Sequence, residues 1–376
     1  MTDPIPLAEA LIRCASVTPL EAGSLDLLQF ALEKLGFRAR RMKFGEVDNL
    51  YARLGDAQPN FCFAGHADVV PPGAGWTSDP FDPQIRDGML YGRGAADMKT
   101  ALAAMVAATE SFLANAKPRG SISFLITCDE EGPGQDGTKR VLAALAEQGE
   151  KIDHALVGEP TSEERVGDVI KNGRRGSLNC VLTFEGKQGH VAYPQRALNP
   201  VTPLLNALHT LKARQLDTAP VPGFDPTNLE ITTIDIGNPA HNVIPARATA
   251  KLNIRFNTAH TAPDLLAWIE ETVQSAARAA RATANVAIGS QSFPFYTEPG
   301  AFTELLVAAV RDATGAAPKL STTGGTSDAR FLRDYCVVAE LGLRNATAHM
   351  VDEHVAVEDV RALARCYEAL LRGYFA

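Results

Sequence analysis

The chain has 376 residues, 45% hydrophobic and 21% charged, a composition that suits folded domains and excludes global disorder. Its length points to two domains rather than one core. A formal net charge of −8, with no basic run to offset it, excludes nucleic acid and anionic membrane surfaces as partners.

The opening MTDPIPLAEALIRC is acidic at its start and amphipathic, unlike a leader with a basic region and a continuous apolar stretch. No window reaches the roughly 18 unbroken apolar residues of a membrane span. Cys14, Cys62, Cys128, Cys180, Cys336 and Cys366 are scattered without a CxxC pair, the pattern of buried reduced thiols. A cytoplasmic chain is the expectation.

In chain order, an amphipathic helix from Pro6 to about Cys14 precedes a second helix from Gly23 to Leu35, ended by Gly36. Short β-rich runs follow: FRARRMK, NLYARLG and FCFAGHADVV. After an irregular Pro/Gly stretch, MLYGRGAADMK leads into the Ala-rich helix TALAAMVAATESFLA. SISFLITCDEE, TKRVLAALAEQG and HALVGEP then read as strand, helix and apolar segment. This alternation predicts an α/β fold with a mostly parallel sheet and helices on both faces.

Near Gly176 the texture changes. SLNCVLTFEGK, NLEITTIDIG and ATAKLNIRF alternate like antiparallel strands, with helices around NPVTPLLNALHTLKARQL and TAPDLLAWIEETVQSAARAARA. A smaller α+β domain is expected over 177–293, inserted into a catalytic domain of 1–176 and 294–376. After SQSFPFYTEPG the helical and apolar rhythm of the first domain resumes through ELLVAAVRDATG, DARFLRDYCVVAELG and VEDVRALARCYEALLRGYF.

Potential metal ligands sit at strand ends or in the loops after them. His66 and Asp68 follow FCFA, Asp97 lies in the glycine-rich GRGAADMK, and Glu130 and Glu131 close FLITC. Glu159 ends ALVG, and His349 lies in NATAHMVDEH. Ligands of open α/β sheets gather at the carboxyl ends of strands, so these distant positions can converge. Taken singly, a histidine is usually a surface or satisfied core residue, paired acids a solvated turn, and Asp97 a helix cap. Jointly they supply a two-metal ligand set.

GHADVVPPG, YGRGAADMK, CDEEGPGQDGT, GEP, KNGRRGS, GHVAYP, HNVIP and TTGGTSDARF run in order across nearly the whole chain and resemble the motifs of the M20 metallopeptidase family, which includes acetylornithine deacetylase. The resemblance implies a zinc-peptidase-like catalytic domain with an inserted dimerisation or lid domain. Asp97 would bridge two Zn²⁺ ions, with His66 and Glu159 on one and Glu131 and His349 on the other, Co²⁺ being able to substitute. Asp68 would orient His66, and Glu130 would be the general base. His190, from GHVAYP, would reach the active site of the partner subunit in a homodimer and stabilise the oxyanion.

RRGS, HNVIP and GGTSDARF point, within the family, to hydrolysis of N-succinyl-LL-2,6-diaminopimelate, a small-molecule step of lysine biosynthesis. Arg174, Ser177, Asn242, Arg255, Gly325 and Thr326 match family positions that hold its carboxylates. Another amidohydrolase or exopeptidase of the family, or a non-catalytic zinc-binding assembly protein, are the competing readings. An intact Glu130 argues against the last, since a structural site gains nothing from an uncoordinated base. Ala67 replaces an expected threonine and Met350 an expected polar residue, neither removing a ligand.

Overall fold

A computed structural model describes residues 2–376. The chain divides into two compact units. The first runs from the N-terminal segment through Asn172 and takes in Thr297–Ser321 and Ser327–Ala376; the second comprises Gly173–Tyr296 and Thr322–Thr326. The sequence reading places these boundaries at 176/177 and 293/294, and keeps the short stretch Thr322–Thr326 with the first unit. Thr322 instead donates its hydroxyl to the Gly223 carbonyl, and the Arg174 guanidinium donates to the Gly325 carbonyl, both within the second unit.

An eight-stranded sheet forms the centre of the first unit, in the order Arg38–Phe44, Val47–Leu54, Ser121–Thr127, Asn60–His66, His154–Val157, Val337–Glu340, Val169–Lys171 and Lys319–Ser321. Its middle pairings are parallel, from Ser121–Thr127 across to Val337–Glu340. Every residue of Asn60–His66 and of Ser121–Thr127 is buried, as expected where helices cover both faces of a parallel sheet. The Ala-rich helix Lys99–Asn115 is buried around most of its circumference, packed against Val357–Tyr374 and Ile5–Arg13. A helix apolar all round belongs in a core, and Ala103, Ala104 and Ala108 of this one are fully buried.

The second unit is a four-stranded antiparallel sheet ordered Asn228–Asp235, Arg247–Phe256, Gly176–Glu185 and Thr283–Ser292. Alternate residues of Gly176–Glu185 point inward: Leu178, Cys180, Leu182 and Phe184. They meet Leu204 and Leu208 of helix Val201–Ala213 and Leu265, Ile269 and Val273 of helix Ala262–Ala280. The second helix opens where the Thr261 hydroxyl accepts from the Asp264 amide, an N-cap that satisfies an otherwise orphaned donor.

Two segments differ from the sequence reading. YCVVAELG continues no helical rhythm: helix Ala329–Leu332 is a single turn, and Val337–Glu340 is a central strand of the first sheet. TANVAIGSQS, left unassigned after the long helix, supplies the fourth strand of the second sheet. Among the described residues no helix is long and apolar enough to cross a membrane.

The second core depends on its central strands. Leu252 is 1% exposed on Arg247–Phe256, so Leu252→Ala should lower stability by about 2–5 kcal/mol, measured by urea unfolding.

Candidate metal centre

His66 is the last residue of its strand, in register with Thr127 of the neighbouring strand. Glu130 and Glu131 follow that neighbour, Glu159 follows His154–Val157, and Asp97 sits in the turn before helix Lys99–Asn115. Three adjacent parallel strands therefore deliver their loops to one edge of the sheet. His349 comes from the loop before His354–Ala356, its backbone in the left-handed region at φ 63°.

The ligand set closes around Asp97. One Asp97 oxygen lies 3.1 Å from His66 Nε2, and the other lies 3.3 Å from His349 Nε2. Glu159 Oε1 is 3.7 Å from His66 Nε2, while Glu131 Oε1 is 2.7 Å from His349 Nε2. Ligand atoms of His66, Asp97 and Glu131 lie within 4.8 Å of one another, as do those of His66, Glu130 and Glu159. Asp68 is fully buried, with Oδ1 3.6 Å from His66 Nδ1; the ring nitrogen has a nearer neighbour in the Asp68 carbonyl oxygen at 2.9 Å. The Asp68 carboxylate also accepts from the Glu130 and Glu131 amides, at 3.4 and 3.2 Å. It thus ties the His66 segment to the acidic turn.

Crowding sets the protonation. Burial lifts the Glu130 and Glu159 carboxyls well above the ordinary range, with nearby carboxylates adding to the effect and His66 opposing it. Burial works against charge on Asp97 too, but hydrogen bonds to His349 and His66 hold its carboxyl well below the usual range. His349 is raised to about 10 by its bonds to Asp97 and Glu131. His66, disfavoured as a cation by burial, is nevertheless raised by Asp68 and Asp97.

The residues fit divalent cations. Glu159 Oε1 is buried without a hydrogen-bond partner, although a buried carboxylate oxygen demands one. Carboxylate oxygen and imidazole nitrogen are donors that zinc and its neighbours accept.

Several supporting residues escaped the sequence reading. Glu353 is fully buried, and its carboxylate accepts from the amides of Gly94, Ala96 and Asp97. In sequence it reads as one acid in VDEH, and only the fold supplies its partners. Asp328 is also buried, with Oδ1 lacking a partner, and burial raises its carboxyl. Its sequence signal is its place in the motif TTGGTSDARF. Ala67 is fully buried and Met350 is exposed.

The remaining candidates lie in the second unit. Ser177 and Arg255 face each other across paired strands, with Arg255 half-buried near Arg175. The Ser177 hydroxyl accepts from Asn253. Arg174 is buried and bonded to the carbonyl of Gly325, which is exposed; Thr326 is half-buried. Neighbouring Gly324 has φ +106°, and a Cβ there would stand 2.7 Å from Arg174 Nη1, so this approach requires glycine. Asn242 is exposed and receives the Val191 amide at its carbonyl. His190 is exposed, its Nδ1 accepting from the Ala192 amide.

Residues 62–373 match peptidase family M20/M25/M40, and the chain belongs to this family. It is a metal-dependent hydrolase, and its His, Asp and Glu side chains form candidate metal sites. Over 377 residues it is 60% identical to the succinyl-diaminopimelate desuccinylase of Caulobacter vibrioides, covering 100% of this chain and 96% of the relative. The succinyl-diaminopimelate desuccinylase of Rhodospirillum centenum is 54% identical, covering 100% of this chain and 98% of the relative. Among solved structures, aminopeptidase PepT from Bacillus cereus superposes with a TM-score of 0.82 at 20% identity, covering 99% of this chain and 98% of that one. An M20 family metallo-carboxypeptidase from Sulfolobus solfataricus gives 0.80 at 17% identity, covering 100% and 99%. These two likenesses establish the shared fold.

Metal uptake should release protons. In the metal-free chain His349 is protonated at neutral pH because its pKa is raised to about 10, and metal coordination requires the neutral ring. Zinc affinity should therefore rise with pH toward about 10, and zinc added at pH 7.5 should acidify a weakly buffered solution. Calorimetry in buffers of different ionisation enthalpy measures the protons released; none released contradicts the assignment.

Proposed function

We propose that this chain hydrolyses the amide of N-succinyl-LL-2,6-diaminopimelate to succinate and LL-2,6-diaminopimelate, a step of lysine and diaminopimelate biosynthesis. The observation that carries this reading is the 60% identity, over the whole chain, to a succinyl-diaminopimelate desuccinylase. Cytoplasmic residence fits the substrate and the six free cysteines.

In this reading His66, Glu159 and Asp97 would hold one Zn²⁺ ion, and Asp97, Glu131 and His349 would hold the other. The ions, when bound, polarise the amide carbonyl and lower the pKa of water. Glu130 takes the proton from the attacking water as the new C–O bond forms. It returns that proton to the departing nitrogen as the C–N bond breaks. A carboxyl lifted by burial and by surrounding acids is suited to holding the proton between those moments. Asp68 fixes the backbone of Glu130, so the base keeps its aim.

The substrate carries three carboxylates. Arg174 and Arg255 supply forked donors for such groups, with Ser177, Asn242, Gly325 and Thr326 completing the recognition set. His190 of the partner subunit is assigned to the oxyanion, which makes the homodimer the active species.

Zinc-loaded protein should release succinate from the succinylated substrate far faster than acetate from acetylornithine. Equal or reversed rates would reject the substrate. Glu130→Gln should keep its metal and lose about 10²–10⁴-fold in kcat; near-normal turnover would reject the base.

A further inference from the structure

Glu353 has no part in the chemistry just described, yet it is among the most completely partnered carboxylates of the first unit. It is fully buried. Oε1 accepts from the amides of Ala96 at 2.7 Å and Asp97 at 3.0 Å. Oε2 accepts from the Gly94 amide at 3.0 Å and from Arg93 Nη1 at 2.7 Å. The Gly92 amide donates to the Glu353 carbonyl at 2.9 Å, extending the grip along the backbone. Arg93, itself 2% exposed, supplies the balancing charge.

This wrapping bears on the centre through two short covalent paths. The Asp97 amide is one of the bound donors, so the backbone from which the Asp97 side chain projects is fixed. His349 lies four residues before Glu353, and the intervening chain is pinned as well. Asp352 Oδ1 accepts from the amide and hydroxyl of Thr77, at 2.9 and 3.0 Å, and the Thr347 hydroxyl donates to the His354 carbonyl at 2.6 Å. The loop bearing His349 and the turn bearing Asp97, far apart in sequence, share one anchor.

We propose that Glu353 is a positioning residue for the metal centre: its buried carboxylate shapes the Arg93–Asp97 turn and locks it to the segment carrying His349, so Asp97 and His349 meet the cations as a preset pair. The proposal rests on reading Asp97 and His349 as metal ligands. The carboxylate form is required because four donors converge on its two oxygens. An amide in its place would turn an NH₂ group toward two of them, and the turn would have to open.

The test is zinc affinity of the full-length, metal-free protein, by competition with a chromophoric chelator, at a temperature where circular dichroism shows each variant folded. Glu353→Gln should bind zinc about 10–100-fold more weakly than wild type, the usual effect of losing a group that orients metal ligands. A residue that only stabilised the fold would lower the melting temperature and leave the affinity of the folded protein unchanged. That outcome overturns the proposal. Should Glu353→Gln fail to fold, Glu353→Asp takes its place: it keeps the charge but is one methylene too short to reach both donor pairs. A smaller loss of affinity supports the proposal, and wild-type affinity overturns it. Wild-type protein that takes up no zinc would remove the ligand reading and this proposal together; wild-type binding matched by the variant would remove only this one.

Discussion

Asp97 offers one carboxylate oxygen to each of two histidines that arrive from opposite ends of the chain. That bifurcation constrains everything around it. Glu131 and Glu159 must approach the same point, Glu130 lies within reach, and Asp68 stands behind His66. Like charges brought this close in a poorly solvated place repel strongly. Without a stiff frame the acids would turn outward to water, and the crowding and burial raise the Glu130 and Glu159 carboxyls.

The frame is the set of parallel strands. A strand buried on both faces cannot slip register without moving all its apolar side chains, so the loop at its end starts from a fixed point. Phe61 and Phe63 pack edge to face, and Phe63 also meets Phe124 and Tyr367, which locks Asn60–His66 between its neighbours and helix Val357–Tyr374. The residues that hold the fold and those proposed to do the chemistry are consecutive here: FCFAG is buried, and His66, the candidate ligand, follows it. A second unit built on an antiparallel sheet with one helical face makes different demands. Its strands pair Ser177 with Arg255, the Ser177 hydroxyl accepting from Asn253 and Arg255 half-buried.

Much of this was legible in the sequence because candidate ligands such as His66, Glu130, Glu131 and Glu159 end or follow apolar runs, and such a run announces a strand whose end carries polar side chains. The α/β character of the first unit and the antiparallel character of the second followed from periodicity. What stayed hidden has physical causes. Val337–Glu340 is too short for alternation to separate it from the helix turn before it. Thr283–Ser292 is an edge strand exposed over most of its length, so it lacks the buried pattern that marks a core strand. Glu353 is invisible because three of its four donors are backbone amides, which have no sequence signature, and the fourth, Arg93, is 260 residues away.

Lys99 illustrates the same point from the other side of Asp97. A lysine in the first turn of a helix sits at the positive end of the dipole and is ordinarily unfavourable there. Lys99 is nonetheless the first residue of Lys99–Asn115 and fully buried, with burial pulling its ammonium down to about 8. The side chain leaves its own helix and donates to the carbonyls of Leu11 at 2.9 Å and Cys14 at 2.6 Å, at the end of helix Ile5–Arg13. Both carbonyls lie at the negative end of that helix, where Leu11 also accepts from the Cys14 amide and Cys14 from the Ser16 amide. The charge that one helix start disfavours is therefore placed where another helix end needs it. Only Met98 separates this anchor from Asp97, just as Glu353 holds the turn on the other side. The shared carboxylate is thus fastened upstream to the C-terminal segment and downstream to the N-terminal helix, so the geometry of the centre depends on both ends of the chain.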